Sequence, residues 1–240
     1  EFVERNHGHC YKPSHMQIAE MLLPIEVRSF RDSVLNDKID DVMRHLQSDA
    51  GVVHAEFTAG RGIARAIHHW KSVDVAERLI SAGASLNQLT TRGETPLAKQ
   101  LRFGTIEGVR FLLENDADPN VGVGGHMPSE HLVEMIELLL ARGWDINRGQ
   151  LLHDAKHGFG SRVKTWLAFG TDPNIRDAEG QTALPRLAAR VTGRVAFIAL
   201  VEAGGDMQAR DGRGYRPLDL AREDESQVAT RVLISLGAEG

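Results

Sequence analysis

The chain is poor in cysteine, in aromatic residues and in charge of one sign. Its one cysteine, Cys10, excludes an intrachain disulfide, as is common in reducing compartments. Basic and acidic residues number 28 and 33, so the formal net charge is −5, and the absence of a basic block argues against a nucleic-acid partner. No apolar run approaches the roughly 20 residues that cross a bilayer, and no signal-peptide core is visible. We therefore expect a soluble, cytoplasmic protein that binds no membrane.

Signatures of catalysis are also lacking. The sequence contains no G-x-S-x-G nucleophile elbow and no phosphate-binding loop that opens a helix after a strand. The GVGG run at 122–125 follows a predicted turn instead of a strand, so it does not indicate a nucleotide site. We expect no cofactor, and an enzyme is the less favoured interpretation.

A phrase that recurs along the chain is the strongest positive signal. In each copy an apolar helical run is followed by a turn residue and a short polar stretch. The copies are LISAGASLN, LLENDADPN, LLLARGWDIN, WLAFGTDPN and LVEAGGDMQ, and LISLGAEG closes the chain. The turn residues, at spacings of 33, 27, 27, 34 and 33, are Gly83, Asp116, Gly143, Gly170, Gly204 and Gly237. A repeat near 33 residues predicts stacked helical hairpins that bury their faces against one another.

A second phrase precedes several copies of the first. GETPLAKQL begins at Gly93, GQTALPRLA at Gly180 and GYRPLDLA at Gly214. Thr95 is placed to cap a helix whose first residue is Pro96. The glycines after the apolar runs predict left-handed helix caps, and the Asn and Asp residues that follow should close turns by bonding their own backbone.

The two phrases together resemble the ankyrin repeat, whose pattern runs G-x-T-P-L-H-x-A, a short loop, V-x-x-L-L and G-A-D-x-N. The resemblance covers about residues 26–240 and implies an all-α ankyrin-repeat solenoid of about six to seven helix-turn-helix repeats, with an irregular central repeat. Ahead of it, the Ser-His-Met run at 14–16 resembles a cloning scar, so we expect an N-terminal segment at 1–15 that is disordered or left from cloning. An N-terminal helix with a degenerate capping repeat should follow at 16–57. The repeats of 58–240 are then 58–91, 92–121, 122–148 (irregular), 149–179, 180–213 and 214–240 (C-terminal cap).

The repeat spacing is irregular in the middle of the chain, where two successive turn residues follow at 27 residues instead of about 33. Between Gly143 and His153 too few residues remain for a hairpin finger, so the fifth repeat has lost it. Residues 122–148 read as a Gly-rich loop, a cap at Ser129 and a single helix. Long irregular loops in rigid scaffolds often carry function, but a neutral deletion in a repeat array is the alternative, and the sequence leaves both open.

The family resemblance implies a partner-binding concave face built from the ends of the first helices and from the finger tips. Aromatic and basic residues at these positions are of the types that dominate binding energy. They point to a protein partner with an acidic surface or tail, although Trp70 and Phe103 could instead pack against adjacent repeats. The positions are His69, Trp70, Arg102, Phe103, His157 and Arg190 at helix ends, and Arg92, Arg213 and Tyr215 on fingers.

A second hypothesis places a small-molecule or metal site, with simple acid–base chemistry, at the irregular centre. HDAKH at 153–157 has two histidines at i and i+4, the spacing of H-E-x-x-H with Asp154 in place of the glutamate. A third ligand is not specified, and His153 falls on the structural histidine of the repeat. The residues that would carry this site are His126, His131, Asp154 and His157. The favoured function remains a non-enzymatic interaction module, either whole or as the repeat portion of a longer protein.

Overall fold

The computed structural model describes most of the chain after the expected N-terminal segment. The described residues are 23–59, 62–122, 127, 130–188, 194–223 and 227–238. The helix expected before Pro24 lies outside them. Contacts divide the chain into two compact units, residues 1–99 and 100–240, and each unit is built from pairs of short helices.

In the first unit the segment expected to hold the degenerate capping repeat contains two helices, α1 (Ile25–Leu35) and α2 (Ile39–Ser48), and a third, α3, spans Val73–Ser81. Helix α1 packs on α2, and α2 packs on α3. The buried core between them includes Phe30, Val34, Val42, Val75 and Leu79, each fully shielded from solvent. These side chains recur at helical spacing, so one stripe of each helix is buried.

A short hairpin and two 3-10 turns complete the first unit. Strands β1 (Phe57–Ala59) and β2 (Gly62–Ala64) pair antiparallel, and 3-10 helices span Ala50–His54 and Ala66–His68. The second repeat thus has a three-residue 3-10 helix where the sequence predicted a longer α-helix. His69 and Trp70 therefore follow this helix instead of ending it.

In the second unit helix pairs form two layers. Helix α4 (Pro96–Phe103) begins in the first unit and ends in the second. The others are α5 (Ile106–Glu114), α6 (Leu132–Leu140), α7 (Gln150–His157), α8 (Gly160–Ala168), α9 (Ala183–Ala188), α10 (Arg194–Glu202), α11 (Pro217–Glu223) and α12 (Gln227–Ser235). Helices α7, α9 and α11 lie side by side in one layer, and α8, α10 and α12 form the other, while α5 packs on α6. Within the described ranges no helix combines the length and apolar character of a membrane span.

The turn residues of the repeated phrase close the second helices as predicted. All six have positive φ, from 66° at Asp116 to 96° at Gly237. At Gly170 the turn is closed by two backbone bonds, Gly170 N to Leu167 O at 3.0 Å and Thr171 N to Trp166 O at 3.1 Å. This is the Schellman pattern of a left-handed cap. The N-terminal cap predicted at Thr95 is also present at the first helix of the third repeat, since Thr95 Oγ1 accepts from Ala98 N at 3.2 Å.

The asparagine that ends the phrase links successive turns of the second unit. Asn120 Nδ2 donates to Gly143 O at 3.0 Å, and its Oδ1 accepts from Asp145 N at 2.8 Å. The later turns repeat this with Asn147 to Asp172 (2.9 Å), and Asn174 to Gly204 (3.0 Å) and Asp206 (2.7 Å). The prediction that these asparagines bond their own backbone was wrong. The ladder continues through both short spacings, so the turns stay stacked there.

The aspartates two residues before these positions close their own turns, as the sequence predicted. Asp118 Oδ1 accepts from Asn120 N at 2.7 Å, and Asp172 Oδ1 accepts from Asn174 N at 2.8 Å. The short aspartate side chain reaches a backbone N–H two residues on, which fixes the local turn. The asparagine side chain instead forms its hydrogen bonds with the backbone of the next repeat.

Finger turns occur at 90–94, 177–181 and 211–215. In each, the first and last residues pair through the backbone, as Asp211 N does with Tyr215 O at 2.9 Å. The fifth repeat has no room for such a finger, because α7 begins at Gln150, three residues after Asn147, as the spacing predicted. Of the described residues between Glu114 and Leu132, none is helical.

Candidate functional site

Phe103 is the most exposed large apolar side chain among the described residues. Helix α4 buries Leu97, Ala98 and Leu101, a stripe at helical spacing. Phe103 ends the helix two residues beyond this stripe, and its side chain is 72% exposed. The Arg102 guanidinium carbon lies 5.4 Å from the centre of the Phe103 ring, within cation–π range. The helix end therefore presents an aromatic ring with a cation over its face.

A second aromatic–cation pair lies on the finger at 211–215. The Arg213 guanidinium carbon is 4.9 Å from the centre of the Tyr215 ring, which is 39% exposed. Asp211 Oδ1 holds the finger by accepting from Arg213 N at 2.8 Å and Tyr215 N at 2.9 Å. Desolvation opposes ionisation of Asp211, but these backbone hydrogen bonds and the Arg213 guanidinium outweigh it and lower its pKa. The finger is thus pre-formed around a carboxylate.

In the first unit, His69 contacts Lys99. Lys99 Nζ donates to His69 Nδ1 at 2.6 Å, and both side chains are half-buried. Burial, with the nearby Lys99 charge, lowers the pKa of His69 to about 4. His69 is therefore neutral at pH 7 and acts as an acceptor.

Replacing His69 by glutamine should reduce the acid sensitivity of the chain. The unfolded chain binds a proton at His69 near pH 6.5 and the folded chain only near pH 4. Unfolding therefore takes up a proton between these values, and the free energy of unfolding falls as the pH is lowered. We expect the titration of His69 to lower the free energy of unfolding by about 2 kcal/mol between pH 7 and pH 4, after allowance for solvent screening.

Urea unfolding at pH 7, 5.5 and 4 measures this difference for the parent chain and the His69→Gln variant. The glutamine keeps an acceptor for Lys99 but does not titrate. His54→Gln, at an exposed histidine of the same unit, is the matched control. Identical pH slopes for the parent and His69→Gln would show that His69 is not held neutral by the fold.

The remaining predicted partner-binding residues fall in different environments. Trp70 is only 7% exposed, so the expectation of an exposed tryptophan anchor is corrected: its indole packs in the core. Arg92 is exposed on the finger at 90–94, where its N–H donates to Thr90 Oγ1 at 3.3 Å. Arg190 lies outside the described residues. His157 is exposed at the end of α7.

Asp154 is committed to a buried network. The residue is 1% exposed, and its Oδ2 accepts from Arg162 Nε at 2.8 Å and from Trp166 Nε1 at 2.6 Å. Arg162, itself 4% exposed, also donates through Nη1 to the carbonyl of Met127. The network joins α7, α8 and a residue of the irregular fourth repeat. The prediction that Asp154 serves as an acid–base group is corrected, since its carboxylate is enclosed and already bonded.

Of the described histidines of the second hypothesis, His131 and His157 do not converge with Asp154 on a site. His153 and His157 have ring centres 4.6 Å apart, and Phe159 stacks on His157 at 5.9 Å. His131 occupies the N-cap position of α6 without a side-chain cap hydrogen bond, and its ring nitrogens lie 3.9 Å from carboxylate oxygens of Glu130 and Glu134. His126 is outside the described residues. In the described part of the chain, no three His, Cys, Asp or Glu side chains are grouped to hold a metal ion.

A cavity of about 320 Å³ lies beside His131. It is lined by His131, Leu132, Val133, Ser161, Arg162 and Thr165, all of which belong to α6, its cap or α8. Neither Asp154 nor His157 lines it. Of the three residues of the second hypothesis that the structure describes, His131 is therefore the one that lines a pocket.

Two residues that the sequence interpretation missed are Lys99 and Arg162. Arg162 occupies the buried stripe of α8 together with Val163 and Trp166, and a lone arginine on an apolar stripe was the available signal for a buried ion pair. Lys99 gave no comparable signal, because its contact with His69 joins positions 30 residues apart.

Paired helices, left-handed caps and bonded turns define an α-helical repeat protein with exposed fingers. The chain is 30% identical to cyclin-dependent kinase 4 inhibitor B of Bos taurus over 142 residues. These aligned residues are 59% of this chain and 91% of that protein. The crystal structure of the human ASB11 ankyrin repeat domain matches with a TM-score of 0.64 at 23% identity, covering 88% of this chain and 97% of that domain. The chain belongs to the ankyrin-repeat family.

Other similarities are to segments of longer proteins. The potassium channel KOR2 of Oryza sativa subsp. japonica is 36% identical over 85 residues, which are 35% of this chain and 12% of the channel. No protein-family profile matches the sequence.

Proposed function

We propose that the chain is a non-enzymatic protein–protein interaction module that binds its partner through the ends of its first helices and its finger tips. The observation that carries this is the 72% exposed Phe103 with Arg102 over its ring. An exposed aromatic ring keeps its apolar surface in contact with water. A partner that covers the ring buries this surface, and the burial favours binding. Aromatic and arginine side chains are also those that most often anchor protein interfaces.

The finger at 211–215 supports the same function. Its Arg213 and Tyr215 repeat the combination of Arg102 and Phe103 on a different part of the repeat, and Asp211 fixes the backbone that carries them. A pre-formed loop loses little conformational freedom on binding, which favours affinity. The relative in Bos taurus is named as an inhibitor of another protein, a kinase, which is in keeping with a protein partner here.

We further propose that the partner presents acidic groups around an apolar centre. Arg213 already faces carboxylates of its own chain, with Nε 3.3 Å from Asp211 Oδ2 and Nη2 3.4 Å from Glu223 Oε2. Both distances are long for an ion pair, and Arg213 is solvent-exposed, so a carboxylate of the partner can replace Glu223. The acidic groups would then orient the partner, and the aromatic rings would provide most of the affinity.

The Phe103→Ala/Tyr215→Ala double variant tests this proposal. We expect it to weaken partner binding by at least about 100-fold, since two anchors of this type each contribute about 2 kcal/mol. The partner is first captured with the parent chain from a lysate of the source organism and identified, and its dissociation constant is then measured for each variant.

The matched control is Val133→Ala/Ile234→Ala. These residues are 50% and 53% exposed on α6 and α12, so the variant removes apolar surface of similar exposure from helices outside the proposed surface. It should bind within about twofold of the parent. Equal affinity of the double alanine variant and the parent, with both folded by circular dichroism, would rule out this surface.

A further inference from the structure

His153 and His157 carry two imidazole rings on one face of α7. They are four residues apart, on successive turns of the helix, and their ring centres lie 4.6 Å apart with an interplanar angle of 49°. His157 is exposed, and the side chain of His153 is 33% exposed. Two nitrogen-bearing rings are therefore close enough together to contact one small ion from solvent.

The buried carboxylate of Asp154 orients the ring of His153. Its Oδ2 accepts from Arg162 and Trp166, whereas its Oδ1 lies 3.3 Å from His153 Nδ1. Because a carboxylate can only accept, Nδ1 carries the proton, and the lone pair of the neutral ring lies on Nε2. Metal-bound histidines commonly donate their other N–H to a carboxylate in this way, which fixes the tautomer and makes the ring a stronger ligand.

The end of α7 places His157 beside Phe159. Gly158 adopts a left-handed conformation, with a φ of 75°, and Phe159 N donates to Asp154 O at 2.9 Å. The Phe159 ring stacks on the imidazole of His157, with ring centres 5.9 Å apart and an interplanar angle of 27°. This stacking restricts the rotation of the His157 ring, and the partial negative charge of a helix C-terminus favours a cation in the last turn.

We propose that His153 and His157 together bind a divalent transition-metal ion such as Zn²⁺, with Asp154 as a positioning residue. Imidazole nitrogens are preferred ligands of zinc, copper and nickel ions, and the spacing of i and i+4 allows both rings to bind one ion. Within the described ranges no third His, Cys, Asp or Glu joins this pair as a ligand. Zinc favours four ligands, so water molecules complete the coordination. Asp154 orients one ligand here and takes no part in acid–base chemistry.

A zinc titration of the folded chain, followed by NMR of the histidine rings, tests the pair directly. A zinc buffer sets the free zinc concentration, so that zinc bound elsewhere on the chain does not affect the result. The ring nitrogen signals of His153 and His157 should shift together with one dissociation constant, while those of His54, an exposed histidine of the first unit, should not shift over the same range. Magnesium, which prefers oxygen ligands, should shift none of them. Separate dissociation constants for His153 and His157, or no shift of either, would overturn the proposal.

The His157→Gln variant removes one ligand from an exposed position, so the fold is kept. Losing a second ligand that is held in place should weaken zinc binding at His153 at least about tenfold. His54→Gln is the matched control and should leave zinc binding at His153 unchanged. Undiminished zinc affinity at His153 in His157→Gln would show that the two rings do not share one ion.

The Asp154→Leu/Arg162→Met variant tests the positioning role of Asp154. It removes two buried charges as a pair, so the chain should stay folded, and it leaves both histidines in place. Zinc affinity should fall about 10- to 100-fold, as is typical when the hydrogen-bond partner of a metal ligand is lost. Without zinc, the nitrogen shifts of the parent should report a proton on Nδ1 of His153, and this preference should disappear in the variant. Unchanged affinity together with an unchanged tautomer would remove Asp154 from the site.

Discussion

Replacing Arg162 by alanine should lower the free energy of unfolding by about 3 to 5 kcal/mol. The guanidinium is the ion-pair partner of Asp154, and both residues are at most 4% exposed. Without it, the carboxylate keeps only the Trp166 N–H and the weaker His153 contact, and a buried charge is left poorly compensated. The Met127 carbonyl also loses its donor. Urea unfolding followed by circular dichroism measures the change.

Lys164→Ala is the matched control for Arg162→Ala, because it removes a cation from the exposed face of the same helix. It should change stability by less than about 0.5 kcal/mol. The pair of substitutions Asp154→Leu and Arg162→Met should recover much of the loss, since two apolar side chains leave no buried charge. A cost below about 1 kcal/mol for Arg162→Ala would show that the ion pair does not hold the centre together.

Trp166→Ala is expected to cost about 3 to 5 kcal/mol, for a different reason. Trp166 is fully buried and packs edge-on against Trp144, with ring centres 6.1 Å apart and an interplanar angle of 61°. Alanine leaves a cavity in the core of the second unit and removes a donor to Asp154, 2.6 Å away. Circular dichroism in urea measures the change, because the variant loses a fluorophore.

Phenylalanine substitutions separate the two parts of this cost. Trp166→Phe keeps most of the packing but loses the N–H bond to a buried carboxylate, which should cost about 1 to 3 kcal/mol. Trp144→Phe makes a similar change in volume, but Trp144 Nε1 has no hydrogen-bond partner among the described residues. It should therefore cost less than Trp166→Phe. The reverse order would contradict a role for the indole N–H in holding Asp154.

The buried network changes how the irregular centre is interpreted. The sequence left open whether residues 122–148 are a functional loop or a tolerated deletion. Arg162 ties Met127 of this segment to α7 and α8 through Asp154, and Asn120 and Asn147 continue the ladder of turns on both sides. Asp154, which the sequence offered as a catalytic residue of the centre, therefore has a structural role.

The helix ends could be predicted from the repeat motif, but the contacts between side chains of different segments could not. A left-handed cap favours glycine, and asparagine or aspartate can also adopt it, so Gly170 and Asp116 could be recognised from their place in the phrase. The burial of Trp70 could not be predicted in this way, because it depends on a first helix that is shortened to a 3-10 turn. The contacts of Lys99 with His69 and of Arg162 with Asp154 depend on how separate segments pack. No periodic pattern specifies such contacts.

Site-specific photo-crosslinking to the identified partner tests the proposed function most directly. A benzophenone amino acid is placed at position 103 or 215, and at 133 or 234 as controls of similar exposure. Crosslinks to the partner should form from 103 and 215 and be absent from 133 and 234. Crosslinks confined to 133 and 234 would place the partner on other helices and contradict an interaction surface made of first-helix ends and fingers.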